Sequence, residues 1–253
     1  MENETGTRPN GGCARAQLDV LYRDGDLLAV NKPSGLLVHR GIGCGPLVLT
    51  DLVRPLTCGG KAHPAHRLDR SASGVMLFAL NEDIARELQK MFAHGEIGKS
   101  YLALVRGRTP EQGIIDRPLN KKEGGPRLPS LTEFRCLHTV EIEPREVSLV
   151  LAFPRTGRLH QVRRHLRHIS HPLIGDANHG QPALNRGFRE RYGLARLALH
   201  ALALTLAHPR TGAKLHITAP LPDDLRLPFL SMGFPEEAWA GLCDAPVWLG
   251  NPV

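Results

Sequence analysis

The sequence predicts a mixed, mainly antiparallel α+β fold. Two observations carry that expectation: apolar stretches that come in pairs around turn residues, and one well-capped helix in the first half. Hairpin signals of this kind outnumber β-α-β units, which argues against a doubly wound parallel sheet. At 253 residues with 42% hydrophobic content, the chain is long and apolar enough to bury a substantial core. With neither an internal repeat nor a dividing linker, residues 17–253 are expected to form a single domain.

Residues 1–16 are polar and Gly-rich and read as a disordered leader. Residues 18–22 and 27–31 flank Arg23-Asp24-Gly25-Asp26, a turn that predicts a hairpin. Lys32-Pro33-Ser34-Gly35 then breaks the second strand, and residues 75–80 form the next apolar strand. Asn81 is placed to cap a helix, with Glu82 and Asp83 in its first turn, Ile84, Leu88 and Met91 on one face and Gly95 past its end. Strands are expected at 100–105 and 147–151, separated by a Gly/Pro/Lys-rich connection at 120–129 that reads as a mobile surface loop. A last hairpin is expected where 199–206 and 214–218 bracket Pro209-Arg210-Thr211-Gly212.

Composition narrows the functional classes. No apolar run reaches the roughly 18 residues of a membrane-spanning helix, and the start lacks a signal peptide's basic and apolar regions. A cytoplasmic protein with no membrane partner is the expectation. The five cysteines, Cys13, Cys44, Cys58, Cys136 and Cys243, are scattered without a Cys-x-x-Cys pair, so neither a disulfide framework nor a cysteine zinc site is indicated. The net charge of +7 points to a polyanionic partner.

Two segments carry chemistry. His66-Arg67-Leu68-Asp69-Arg70-Ser71-Ala72-Ser73-Gly74 sets one carboxylate between two arginines, on a loop ahead of an apolar strand. Guanidinium groups keep a carboxylate ionised, and an ionised Asp serves as nucleophile or base; the bland alternative is a surface salt bridge. The second segment, 154–168, holds five arginines with no Asp or Glu from Pro154 through Gly175, a density that calls for an outside anion such as RNA phosphate. As a helix, 159–168 would bury Leu159, Val162 and Leu166, expose Arg164, Arg167 and His168, and leave Arg163 at the edge of the stripe to reach an internal carboxylate or a ligand. A metal site from His160, His165, His168 and His171 is opposed by the same arginines. Gly41-Ile42-Gly43-Cys44-Gly45 lacks the spacing of a phosphate-binding loop, and no Gly-x-Ser-x-Gly elbow is present.

Three motifs in register resemble the RluA-type pseudouridine synthases: His66-Arg67-Leu68-Asp69-Arg70-x-x-Ser73-Gly74, Lys99-x-Tyr101-x-Ala103-Leu104-Val105, and Thr156-Gly157-Arg158-x-His160-Gln161-x-Arg163. The resemblance runs from about Leu18, through Asn31-Lys32-Pro33-Ser34-Gly35-Leu36-Leu37-Val38-His39, to about Pro220. Within the family it is greatest to members that modify tRNA at position 65, on the strength of Arg163-Arg164-His165-Leu166-x-His168, His171-Pro172-x-Ile174-Gly175-Asp176, His179-Gly180, Asn185-Arg186 and Leu197-x-Leu199-His200-Ala201. Ser71-Ala72 departs from the usual Pro-Thr or Pro-Ser and removes a hydroxyl near Asp69.

The resemblance implies a bilobed sheet with flanking helices around a central RNA-binding cleft; the N-terminal S4 RNA-binding module frequent in the family is not expected here, because the matching pattern begins at about Leu18. It implies isomerisation of uridine to its C-glycoside in RNA, tRNA being the expected substrate and ribosomal RNA the alternative. The expected enzyme is a monomer that needs no cofactor or metal. Asp69 would be the essential carboxylate, either a nucleophile on the sugar or uracil or a base toward the 2′ position of a glycal-type intermediate; Arg163 would be its partner, and Tyr101 would stack on the flipped uracil, its hydroxyl assisting proton removal from C5. Arg67 would fill the space left in the RNA, while Lys32, Arg158, Arg164 and Arg167 would neutralise phosphates. A hydrolytic nucleosidase or a non-catalytic RNA-binding protein are the readings from other classes; the first usually needs a second carboxylate, the second has no use for Asp69.

Overall fold

The computed structural model describes residues 18–40, 47–57, 59–120, 124–143 and 145–242. The expected leader, the glycine loop 41–45 and four of the five cysteines lie outside the described residues. In chain order the first half comprises β1 (Val20–Arg23), β2 (Leu27–Lys32), α1 (Leu49–Val53), β3 (His63–Pro64), β4 (Ser73–Ala79), α2 (Glu82–His94), β5 (Gly98–Arg106) and β6 (Gln112–Asp116). It continues through β7 (Leu119–Asn120), β8 (Arg127–Leu128), β9 (Leu131–Ile142), β10 (Arg145–Pro154), α3 (Gln161–His168), α4 (Pro182–Tyr192), β11 (Leu199–Ala207), β12 (Lys214–Thr218) and α5 (Asp223–Ser231).

Ten strands form one sheet in the order β1-β2-β4-β11-β5-β10-β9-β6, with β12 also paired to β11 and β3 to β4. Among the described residues every pairing is antiparallel except β4 with β11, which meet in parallel at Ser73–His200 and Gly74–Ala201. This is the mixed, mostly antiparallel α+β sheet that the hairpin signals predict. Asn81 caps α2 as expected, its Oδ1 accepting the Ile84 N–H at 3.0 Å, and Gly95 ends the helix at φ 74°. The ends of the 120–129 connection are drawn together where β7 pairs with β8, beside the buried Leu119, while Gly124, Pro126 and Arg127 are exposed; residues 121–123 lie outside the described residues.

The sheet buries both faces of its central strands. Val75 and Leu77 of β4 pack with Ile84 and Leu88 of α2, while Met76 and Phe78 pack on the opposite face with Val53 of α1. Leu102 and Leu104 of β5 face Phe188 of α4 and Phe229 of α5; Ala103 and Val105 face Val162 and Leu166 of α3. Strands covered on two sides lose the polar/apolar alternation that marks a half-exposed strand. Their continuous apolar runs follow from that burial.

The parallel junction depends on Gly74. Its φ is +114°, and a Cβ there would sit 2.1 Å from the Ala201 carbonyl oxygen, so a side chain cannot enter. Beside it the fully buried His200 links the strands: Ser73 Oγ contacts Nδ1 at 2.8 Å and Nε2 contacts the Ala219 carbonyl at 3.1 Å. Nε2 therefore carries the hydrogen and Nδ1 accepts.

Burial, reinforced by Arg196, pushes the His200 pKa down to about 4. Below about 6.5 the unfolded chain takes up a proton that the fold refuses until about pH 4. Stability is therefore expected to fall as pH drops through that window, by up to about 3 kcal/mol from this group. Urea unfolding at pH 7 and pH 4.5 checks the slope, which His200→Gln should flatten.

Candidate active site

The loop before β4 holds Asp69 by its backbone. Gly35 N–H donates to the Arg70 carbonyl at 2.8 Å, Ser34 Oγ to the Ser71 carbonyl at 2.8 Å, and Arg70 Nε to the Gly35 carbonyl at 3.0 Å. Lys32 completes the clamp: Nζ reaches the carbonyls of Pro33 (2.8 Å), Arg70 (3.2 Å) and Ala72 (2.7 Å). Ala72 is buried in the apolar cluster of Val162, Leu166 and Leu199, so a methyl group suits the position the family more often gives to a hydroxyl-bearing residue.

The expectation that Lys32 neutralises phosphate is corrected here. The residue is 0% exposed and its ammonium is directed at three carbonyls, because β2 ends beneath the Asp69 loop instead of at the surface. Burial, then Arg196, pushes its pKa down to about 7. Lys32→Met is expected to lower kcat by at least about tenfold and stability by about 2–4 kcal/mol, since it leaves buried carbonyls without donors. KM for RNA and its salt dependence should stay unchanged; a phosphate contact would move both.

On the same face of the sheet as the Asp69 loop, α3 delivers Arg163. Gln161 folds the turn before it: Oε1 accepts Thr156 Oγ1 at 2.6 Å and Arg158 N at 3.0 Å, and Nε2 donates to the Leu131 carbonyl at 2.9 Å. The buried face of α3 carries Val162, Arg163, His165 and Leu166, whereas Leu159 precedes the helix and is only half-buried. Arg163 Nη1 lies 2.7 Å from Asp69 Oδ2, and Nε and Nη2 each lie 2.7 Å from the carboxylate of Asp176. One guanidinium thus spans two carboxylates. Burial opposes the Arg163 charge, but the hydrogen bonds to Asp176 and Asp69 outweigh it and raise its pKa. Burial likewise opposes charge on Asp176, yet Arg163 and the N–H groups of His179 and Asn178 hold its carboxyl below the usual range.

Asp176 was not among the candidates that the sequence supplied a role for. It follows Gly175, whose φ is +76° and where a Cβ would lie 1.9 Å from the Arg196 carbonyl oxygen. That close approach seats Asp176 under Arg163. The signal in the sequence was the Gly-Asp pair; its partner came only from the fold.

Tyr101 on β5 packs against the apolar clusters on both sides of Asp69, and its phenol pKa is raised by burial and then by the Asp69 charge. The phenol is a neutral, apolar face at the site. Among the described residues Arg67 and Arg167 are exposed guanidinium groups with no partner. Arg158 is turned to the Pro129 carbonyl at 3.3 Å, and Arg164 binds Asn120 at 3.1–3.3 Å, its pKa lowered by burial and then by Arg127 and Arg117. The histidines of the metal reading diverge: His165 contacts Thr132 Oγ1, His168 pairs with Arg117, His171 contacts the Arg106 carbonyl, and His160 meets His179.

The sequence pattern described as RNA pseudouridylate synthase matches residues 26–168. The chain belongs to that family. RNA pseudouridylate synthases are isomerases acting on RNA, and the relatives span nearly the whole chain. The tRNA pseudouridine synthase C of Haemophilus ducreyi is 39% identical over 236 residues, covering 86% of this chain and 97% of its own length. The tRNA pseudouridine synthase C of Yersinia pestis is 37% identical, with 92% of both chains covered. Two solved family structures agree in fold: human RNA pseudouridylate synthase domain containing 4, with TM-score 0.69 and 26% identity over 85% of this chain and 93% of its own, and domain containing 1, with TM-score 0.68 and 29% identity over 88% and 89%.

Proposed function

We propose that this synthase converts one uridine of a tRNA, at position 65, to pseudouridine, and that Asp69 is the reacting carboxylate. The observation that carries the role of Asp69 is its placement: Oδ2 is held by Arg163 at 2.7 Å, beside Tyr101, in a carboxyl group that is still 19% exposed. The printed names and the coverage of the relatives support tRNA as the substrate class. Tyr101 offers its ring to the flipped uracil, a stacking contact of about 1–3 kcal/mol. Arg67 enters the space vacated in the RNA, and Arg158, Arg164 and Arg167 neutralise phosphates. Exposed large apolar residues are scattered singly at Val20, Leu47, Ile114 and Leu227 among the described residues, which suits action as a monomer.

A hydrolytic outcome is disfavoured by Asp176. It is the carboxylate nearest Asp69 through Arg163, and at 1% exposure, with its oxygens engaged by Arg163 and two backbone N–H groups, it has no position from which to protonate a leaving group. The test is tritium release from tRNA labelled at uridine C5, paired with carbodiimide mapping of pseudouridine in cellular RNA with and without the protein. Release without free uracil, and one mapped tRNA position, is the expected result; mapping to ribosomal RNA would overturn the substrate, and free uracil the reaction. Affinity for tRNA should fall steeply between about 50 and 200 mM salt as counterions released by the bound phosphates are put back in competition, and filter binding across that range measures the slope.

A further inference from the structure

Most of the half-buried or buried arginines of this protein meet an acid. Arg163 spans Asp69 and Asp176, Arg155 meets Glu133, and Arg196 meets Asp224. One residue past Arg163, and about 100° around α3, Arg164 meets none. Its Nη1 lies 3.3 Å from the Asn120 carbonyl and 3.3 Å from that of Leu159, and its Nη2 lies 3.1 Å from Asn120 Oδ1. These neutral contacts fasten the β7–β8 hairpin to the helix and leave the charge unanswered.

Two further arginines stand beside it, both outside the basic segment 154–168. Arg127 lies on β8 opposite Asn120, is exposed, and has no side-chain partner among the described residues. Arg117 follows β6, and Ser130 fixes its backbone: the Arg117 N–H donates to the Ser130 carbonyl at 3.1 Å, and the Arg117 carbonyl accepts Ser130 Oγ at 2.6 Å. The Arg117 guanidinium meets a histidine instead of an acid, Nη1 lying 2.9 Å from Nε2 of the exposed His168. His168 stands one turn after Arg164 and on the same face of α3. The Arg164 pKa is lowered by burial first and then by Arg127 and Arg117, as expected of like charges within reach of one another.

Repulsion among cations held in this way raises the free energy of the fold unless an anion joins them. Hydrogen bonds to backbone and to Asn120 hold them together all the same, and no described carboxylate pairs with any of the three. The missing anion therefore comes from outside. Cations offered by three separate elements, α3, β8 and the end of β6, suit a chain of phosphates better than a single one.

We propose that Arg117, Arg127 and Arg164 form a clamp for successive phosphates of the RNA strand beside the flipped uridine, with the β7–β8 hairpin as its outer jaw. The inference rests on the functional reading above and adds to it a contact surface outside residues 154–168. Because Arg163 faces Asp69 while Arg164 faces the hairpin, the clamp lies alongside the reacting carboxylate. It takes the phosphates that flank the target nucleotide and leaves its base and sugar to Asp69 and Tyr101.

Arg117→Gln and Arg127→Gln remove two of the three charges without unfastening the hairpin from α3. Each phosphate contact contributes about 0.9 to the slope of log affinity against log salt. Each variant is expected to lower that slope by about 1 and to weaken tRNA binding about fivefold at about 150 mM salt, with kcat/KM falling in step. The double variant should lose about 2 in slope and about 30-fold in affinity. Lysine at either position keeps the charge and should keep the slope. Arg145→Gln is the control, since Arg145 is exposed at the far end of β10, roughly 30 Å from Pro154 at about 3.3 Å per residue, and should leave the slope unchanged. Filter binding of tRNA across a salt series reads all of these. A double variant with the wild-type slope overturns the clamp, as do lysine variants that bind as weakly as the glutamine ones, or an equal loss in Arg145→Gln. If wild type binds tRNA yet forms no pseudouridine in it, the functional reading fails while the slopes still decide the clamp.

Discussion

Asp69→Asn is expected to lower pseudouridine formation by about 10⁴-fold or more while leaving tRNA affinity within a few-fold of wild type. Asparagine matches the shape of aspartate and keeps an oxygen for Arg163, so the loop clamped by Lys32 and Ser34 should hold its path. What disappears is the negative charge and its lone pairs, which the proposed chemistry requires and RNA docking does not. Tritium release from C5-labelled uridine, measured beside filter binding of the same tRNA, separates the two. Release within about tenfold of wild type would remove Asp69 from the mechanism.

Arg163→Lys is expected to cost at least about 100-fold in kcat, again with little change in tRNA affinity. The guanidinium makes three contacts of 2.7 Å in fixed directions, two to Asp176 and one to Asp69. A lysine ammonium is a point charge on a flexible stem and cannot span both carboxylates in that geometry. With Arg163 7% exposed and Asp176 1% exposed, the loss is felt in a desolvated setting, so stability should also drop by about 3 kcal/mol. Single-turnover kinetics at saturating tRNA, together with urea unfolding, read both effects.

Local chemistry wrote much of the fold into the sequence. Asn81 and Gly95 bracket α2 because capping and left-handed termination depend on one residue each. The β1–β2 and β11–β12 hairpins were legible for the same reason, as turn residues act within a few positions of themselves. The strands of the β6–β9 pair and the helices α4 and α5 were not anticipated, since their partners lie far along the chain and set what is buried.

At the site the division is similar. The family resemblance carried by the motifs around Asp69, Tyr101 and Arg163, and not their residue types alone, marked them as a set, and the chain's family membership was readable from those motifs. The sequence also showed a surplus of arginine wanting an anion. It did not distinguish cations that face solvent from one that faces inward: Lys32 reads like any basic residue after a strand, and only the packing of β2 beneath the Asp69 loop buries it. Nor did it join Asp176 to Arg163 or His160 to His179. Those contacts are decided by where the strands and α3 cross, a long-range property to which spacing along the chain is blind. Residue identity determined the available chemistry; tertiary packing decided which carboxylate stays partly open, which is sealed, and which cation is turned inward.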